Sequence, residues 1–299
     1  PWVMAAQALS GIAKDLNKMS AKSAIKLLVS PDAQGKLYQW VALLTGSKNA
    51  LKGAGFFLGG ALLTLVGFQM ALLVMATALG LVWFASLLLL KKELGKAKSK
   101  PKFSHIFSKS AAINYLSAAR MFLFGARDVW FVVALPVYLA SSFGWDHWSV
   151  GGFLALWVIG YGIVQSMAPL FTGKKSGRLP GGREAFFWAL ALMLIPVLIA
   201  VSLRNGFYPQ TVFLGGLLIF GGVFAINSSL HSYLIVSFAS ADAVSLDVGF
   251  YYMANAMGRL IGTLLSGYLF QLYGIGSCLW VSALFLALAA ALSLCLSRH

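Results

Sequence analysis

An apolar stretch in the middle of the chain, residues 110–144, contains three charged side chains: Arg120, Arg127 and Asp128. The stretch is long enough to cross a lipid bilayer as a helix. A charged group in hydrocarbon is so unfavourable that such residues normally face a bundle interior or a water-filled cavity. Arg120 and Arg127 lie seven positions apart, on nearly the same helix face. Asp128 points about a quarter-turn away from Arg127, which predicts a partner for Asp128 on another helix.

Other apolar stretches carry basic or polar residues about one helical turn apart. These further candidates for an anion-binding site are Lys48, Asn49 and Lys52, then Asn227, and then Tyr252, Asn255 and Arg259. An arginine side chain can hold a phosphate-like group through two parallel hydrogen bonds, whereas a lysine side chain acts as a point charge. Together with Arg120 and Arg127, these residues indicate an anionic substrate.

Four further candidates could balance charge or carry a proton: Asp15, Lys18, Asp128 and His231. Asp15 and Lys18 are three positions apart and predict an ion pair. Asp15 or Asp128 could neutralise basic side chains while the site is empty, and Asp128 or His231 could move a proton. An intramembrane histidine is either a hydrogen-bonding residue between helices or a proton-handling group.

The first helix carries a stripe of lysines at four-residue spacing, Lys14, Lys18, Lys22 and Lys26. Lys14 and Lys18 face either the lumen or the membrane surface. Lys22 and Lys26 are interpreted as lysines that extend along the helix to the aqueous phase, with no role in the lumen.

The composition requires a membrane-embedded fold to position these residues. The chain is 60% hydrophobic, its mean hydropathy is +0.83, and only 10% of its residues are charged. A water-exposed surface needs more charge than this, and the alternating short segments of a β-barrel are absent. The hydropathy pattern predicts nine helical spans: 1–29, 37–66, 67–90, 110–144, 148–171, 184–203, 211–239, 248–273 and 275–296.

Loop charges predict the orientation of these spans. The lysine-rich segment 91–110 and the basic segment 172–183 are predicted to be cytoplasmic, and the C-terminus lies on the same side. The predicted fold is an all-α polytopic membrane protein. Residues 1–90 form the last three helices of an N-terminal bundle, and residues 111–299 form a six-helix C-terminal bundle.

The sequence offers no signal of an enzyme. It contains no HExxH, GxSxG or phosphate-binding loop and no Cys/His metal spacing, and Cys278 and Cys295 are too far apart on one helix to pair. No cofactor and no metal are predicted. The net charge of +15 divides between loops and spans, so no nucleic-acid partner is predicted.

The lysine-rich loop between two groups of helices resembles the central loop of a major facilitator superfamily transporter, which has twelve helices. Five longer stretches resemble the ArsJ-type organoarsenical efflux permeases: QALSGIAKDLNKMSAKSAIKLLV, LTGSKNALKG, FGARDVWFVVALPVYL, NSSLHSYLIVS and SLDVGFYYMANAMGRLIGTLLSG. The resemblance runs through essentially the whole chain and implies about nine of twelve helices, with three N-terminal helices lacking.

This resemblance implies a cargo and a functional partner. The cargo would be 1-arseno-3-phosphoglycerate, made by a glyceraldehyde-3-phosphate dehydrogenase that uses arsenate, and its export across the bacterial inner membrane would confer arsenate resistance. The residues themselves are equally compatible with a carrier for another phosphorylated or organic anion. A further hypothesis is that the chain functions only together with the lacking helices.

Overall fold

The computed structural model describes residues 2–30, 33–89, 110–172, 180–206, 209–239 and 244–298, and nearly all of these are helical. The central loop predicted at 91–110, apart from Ser110, and most of the second basic segment lie outside the described residues. The helices in chain order are α1 (Trp2–Leu28), α2 (Gln34–Leu89), α3 (Ala111–Phe131), α4 (Ala134–Phe143), α5 (His147–Thr172), α6 (Gly182–Arg204), α7 (Pro209–Phe238) and α8 (Val244–Leu294), followed by a 3-10 turn, Cys295–Arg298.

Two of the helices are each interrupted by one glycine. Gly67 in α2 has φ 74° and Gly274 in α8 has φ 77°, the left-handed region that favours glycine. Each bend lies where the sequence predicts one span to end and the next to begin. Counting α3 and α4 together, six segments in the described part of the chain are long and apolar enough to cross a membrane. With α2 and α8 each divided at its glycine, these segments correspond to eight of the nine predicted spans of a multi-pass membrane protein. α1, at the position of the remaining predicted span, is helical but is not among the segments that are apolar enough to cross a membrane.

The span that carries the central charges is itself broken between α3 and α4. Pro136 has no backbone N–H and cannot extend the helical ladder, so the turn before it opens. The hydroxyl of Ser266 in α8 accepts hydrogen bonds from the N–H groups of Val133 and Ala134 at 3.4 and 3.1 Å. The neighbouring helix therefore satisfies the amides that the break releases, as a membrane interior requires.

The six C-terminal spans pack around a shared apolar core. α3 and α6 both pack against α8, and α5 and α6 pack against α7. Small residues allow the closest approach: Gly258 of α8 lies on the backbone of Met121, and Gly262 lies on the backbone of Gly125. This contact brings the charged face of α3 beside the polar stripe of α8.

α2 joins the C-terminal helices through a second close contact, with α5. Gly162 of α5 lies directly against the backbone of Gly46 and Ala50, and Gly53 of α2 contacts Ile159. Without Cβ atoms at these glycines, the two helices approach until backbone touches backbone. The contact places the Lys48–Lys52 turn opposite the C-terminal bundle.

We expect Gly162→Ala to separate α2 from α5, because the added Cβ would overlap the backbone of Ala50 and Gly46. Overpacking of this kind costs roughly 1–3 kcal/mol. The matched control is Gly160→Ala, two residues away on the same helix, where no atom lies within 4 Å of the added Cβ. Thermal unfolding in detergent should show a clear loss for Gly162→Ala and none for Gly160→Ala. Equal melting temperatures for the two variants would contradict the contact.

At one end of the bundle, which we call the closed end, α1 contacts α7 and α2 contacts α5. The Lys26 ammonium donates to the carbonyl oxygens of Val236 and Ala239 at 2.5 and 2.6 Å. The hydroxyls of Tyr38 and Thr172 are 2.6 Å apart. The prediction that Lys26 extends to the aqueous phase is therefore wrong, because the last carbonyls of α7 have no helical partners and attract a cation.

Candidate functional site

A cavity of about 470 Å³ lies between α1 and α2 on one side and α3, α5, α7 and α8 on the other. Its volume falls within the roughly 300–1,000 Å³ typical of small-molecule sites. The basic residues that line it are Lys18, Lys22, Lys48, Lys52, Arg120, Arg127 and Arg259. None of the described residues that line the cavity is acidic. The lining is therefore strongly electropositive.

Most of the residues predicted to bind an anion come together in this cavity. Those that line it are Lys48, Asn49, Lys52, Arg120, Arg127, Tyr252, Asn255 and Arg259. They come from α2, α3 and α8, so their assembly depends on the α2–α5 and α3–α8 contacts.

Arg120 is the most deeply buried of the arginines in the cavity, with 4% of its surface exposed. Its Nε donates to Asn255 Oδ1 at 3.1 Å, and its Nη1 donates to the Ser228 backbone oxygen at 3.0 Å and to Ser228 Oγ at 3.1 Å. The guanidinium carbon lies 3.9 Å from the centre of the Phe124 ring. These contacts fix the orientation of the guanidinium. Its hydrogen-bond partners are neutral, so they do not balance its charge.

Ser228 extends this network from α7 to α2. Its hydroxyl oxygen also receives hydrogen bonds from the Tyr161 hydroxyl at 3.0 Å and from Gln165 Nε2 at 3.1 Å. Gln165 Oε1 in turn accepts a hydrogen bond from Asn49 Nδ2 at 2.6 Å. A continuous chain of hydrogen bonds therefore links α2 to the buried guanidinium of Arg120. Ser228 and Gln165 are not among the residues predicted from the sequence, although a glutamine within an apolar helix is a detectable signal.

Asp128 is fully buried behind the cavity wall and is shared by two arginines. Its Oδ2 accepts a hydrogen bond from Arg259 Nε at 2.8 Å, which confirms the predicted partner on another helix. Its Oδ1 accepts from Arg127 Nε at 2.6 Å, with Arg127 Nη2 at 2.5 Å. The prediction from helix geometry missed this second contact, because the long Arg127 side chain folds back to its neighbour.

The predicted ion pair in α1 is present, with Lys18 Nζ 2.5 Å from Asp15 Oδ1. Lys18 lines the cavity, whereas the side chain of Asp15 is 54% exposed and lies outside the lining. The pair therefore places the ammonium toward the cavity and its counter-charge away from it.

Lys22 differs from its sequence-based interpretation. It is only 2% exposed and lines the cavity, and its Nζ has no hydrogen-bond partner among the described residues. The ammonium lies 5.7 and 5.1 Å from the ring centres of Tyr251 and Tyr252. Lys22 therefore points inward and does not extend to the aqueous phase. One helical turn further along α1, Lys26 is bound to α7 at the closed end, and this contact keeps Lys22 inside the bundle.

Asn227 and His231 lie away from the cavity, contrary to the role predicted for Asn227. Both are fully buried, and no side-chain nitrogen or oxygen of either has a hydrogen-bond partner in the part of the chain that the structure describes. Successive helical residues point about 100° apart, so Ser228 reaches the cavity where its neighbour Asn227 does not. His231 lacks the hydrogen bond between helices that one interpretation expects. Its proton-handling role remains a prediction.

Comparison with known proteins finds no matching family model and no matching curated protein. Among solved structures, the chain is similar to a bacterial homologue of the iron transporter ferroportin, in its outward-facing state. The TM-score is 0.72 at 19% sequence identity, over 100% of this chain and 75% of the other. The likeness shows that the two chains share a fold. It confirms the predicted fold class, an all-α polytopic membrane protein.

Proposed function

We propose that this protein is a membrane transporter that moves a small anion with several negative charges by alternating access. The observation that carries the proposal is the cavity, where seven basic side chains converge and no described acidic residue faces inward. Asp15 and Asp128 offset part of this charge from outside the lining. The remaining positive charge needs an anionic ligand for compensation.

The same lining argues against a metal cation as the cargo. Lysine ammonium and arginine guanidinium groups only donate hydrogen bonds and cannot coordinate a cation. Their charge also repels cations over the whole cavity. The similarity to a ferroportin homologue therefore supports the fold, while the cavity of this chain supports a different cargo.

Alternating access fits the distribution of buried charge. Lys22 and Arg120 are almost fully buried near the closed end, whereas Lys52 and Arg259 are exposed. The cavity is therefore accessible from the side of Lys52 and Arg259. If the basic loops are cytoplasmic, as predicted, the closed end is the cytoplasmic end and this state faces outward. Transport would require the contacts of Lys26 and Tyr38 to open while the other end closes.

The specific cargo that we propose is 1-arseno-3-phosphoglycerate, on the basis of the resemblance to ArsJ-type permeases. Its phosphate and arsenate groups suit the guanidinium groups of Arg120, Arg127 and Arg259, with Asn49, Tyr252 and Asn255 as neutral hydrogen-bonding residues. The functional partner would be an arsenate-using glyceraldehyde-3-phosphate dehydrogenase, and the location the bacterial inner membrane. The alternative cargo is another phosphorylated or organic anion.

We expect the chain to raise arsenate tolerance severalfold in arsenic-sensitive bacteria only when the arsenate-using dehydrogenase is also present. Growth with each gene alone and with both provides the measurement. Lys52→Gln should abolish the gain because it removes a cavity cation, and the control Lys36→Gln, at an exposed site outside the cavity, should keep it.

Once expression of the protein in the membrane has been shown, a lack of arsenate tolerance distinguishes two cases. Uptake of labelled 3-phosphoglycerate into vesicles without arsenate tolerance would favour the alternative cargo. The absence of both tolerance and anion uptake would contradict the proposed function.

A further inference from the structure

The arginines of the cavity lie at two depths. At the deep level Arg120 of α3 contacts Asn255 of α8, and at the shallow level Asp128 of α3 contacts Arg259 of α8. The seven residues from Arg120 to Arg127 correspond to about 10 Å along a helix. The four residues from Asn255 to Arg259 correspond to about 6 Å. The two levels are therefore separated along the long axis of the cavity.

The deep level contains a pair of cations on one aromatic platform. The ring centre of Tyr251 lies 5.1 Å from the Arg120 guanidinium carbon and 5.7 Å from Lys22 Nζ. Tyr252 lies 5.1 Å from the same ammonium. Both basic side chains are nearly inaccessible, with 4% and 2% exposure. We call Lys22 and Arg120 the deep pair.

The two levels differ in their counter-charge. At the shallow level Asp128 bridges Arg127 and Arg259. At the deep level Arg120 bonds only to neutral groups, and the Lys22 ammonium has no hydrogen-bond partner among the described residues. A buried ammonium without a partner is strongly unfavourable, and two tyrosine rings offset only part of this. The deep pair is therefore incomplete without an anion that the cargo can supply.

We propose that Lys22 and Arg120 bind one anionic group of the cargo, and that Lys52, Arg127 and Arg259 bind a second anionic group at the shallow level. This inference rests on the proposed anion transport. It restricts the cargo to small molecules that carry an anionic group at each end of a short backbone. It also assigns a specificity-determining role to Lys22, because a cargo with one anionic group leaves the deep or the shallow level unused.

The test compares two ligands on the purified protein by calorimetry. The first is 3-phosphoglycerate, with a phosphate and a carboxylate at opposite ends, and the second is glycerol 3-phosphate, with one anionic group. Lys22→Gln should weaken the binding of 3-phosphoglycerate roughly 10- to 100-fold, because the loss of a hydrogen bond to a charged group usually lowers an affinity by about that factor. It should weaken the binding of glycerol 3-phosphate less, because in the variant the single phosphate of that ligand can still occupy the shallow level. The control Lys36→Gln should leave both affinities unchanged.

A stability measurement distinguishes ligand binding from a structural role. Without ligand, Lys22→Gln should melt at the same temperature as the wild type or higher, because it removes an unpartnered buried charge. A lower melting temperature with equal loss of both ligands would overturn the inference. Equal wild-type affinity for the two ligands would overturn the two-group cargo and leave anion transport standing. Binding of neither ligand by the wild type would overturn the proposed function and this inference together.

Discussion

Arg120→Gln is expected to abolish anion transport and to lower the melting temperature of the protein. The substitution removes the buried guanidinium that bonds to Ser228 and Asn255 at the deep level of the cavity. A buried polar group left without its partner costs about 1–3 kcal/mol. Uptake of labelled 3-phosphoglycerate into proteoliposomes and thermal unfolding of the same preparations measure the two effects.

Two further variants make this result specific. Arg183→Gln removes an arginine at the exposed start of α6, outside the cavity, and should leave both transport and stability unchanged. Arg120→Lys keeps the charge but loses the planar fork that reaches Ser228 and Asn255 together, so it should transport poorly. Transport at the wild-type rate by Arg120→Gln would remove Arg120 from the binding site.

Asp128→Asn should produce the largest loss of stability among the charge substitutions. It keeps the size of the side chain but leaves Arg127 and Arg259 without their shared carboxylate. Removal of one partner from a buried ion pair costs about 3–5 kcal/mol. We expect about 3 kcal/mol, at the lower end of this range, because the Arg259 side chain is 46% exposed and therefore screened by solvent.

A double-mutant cycle tests the reason for that loss. If the loss comes from uncompensated charge, the double variant Asp128→Asn/Arg259→Gln should be more stable than the sum of its single variants predicts. Added phosphate should also stabilise Asp128→Asn more than the wild type, because it replaces the lost negative charge. Additive effects within about 0.5 kcal/mol would show that the two residues are not coupled.

The fold was largely predictable from the sequence, because a bilayer restricts a chain to few solutions. Apolar length fixes a span. Glycine and proline mark some of the breaks, although Pro169 and Pro196 lie inside α5 and α6, which continue past them. Gly67, Gly274 and Pro136 each mark a break that the structure contains. The division into bundles at 1–90 and 111–299 stays a prediction, since the segment that would separate them lies outside the described residues.

The charged residues of the site were predictable from the sequence. The residues whose role depends on the rotation of a helix were less predictable. Arg120, Arg127 and Arg259 stand out because hydrocarbon does not tolerate unpaired charge. The face to which Lys22 points depends on how α1 packs against α8, and helix periodicity does not contain that information. Ser228 and Gln165 are neutral and appear in the network only after α5 and α7 are brought together. For the same reason the sequence does not reveal that Asn227 lies outside the cavity lining, since the rotation of α7 was unknown.

The closed end has an unusual dependence on sequence. Lys26 bonds to the backbone oxygens of Val236, Ser237 and Ala239, and to none of their side chains. Every amino acid provides the same carbonyl, so substitutions at these three positions preserve the acceptors as long as α7 ends at the same place. The donor has no such freedom, because a single ammonium serves all three oxygens. The acceptor side of this contact therefore tolerates substitution of its side chains, whereas the donor side depends on the single residue Lys26.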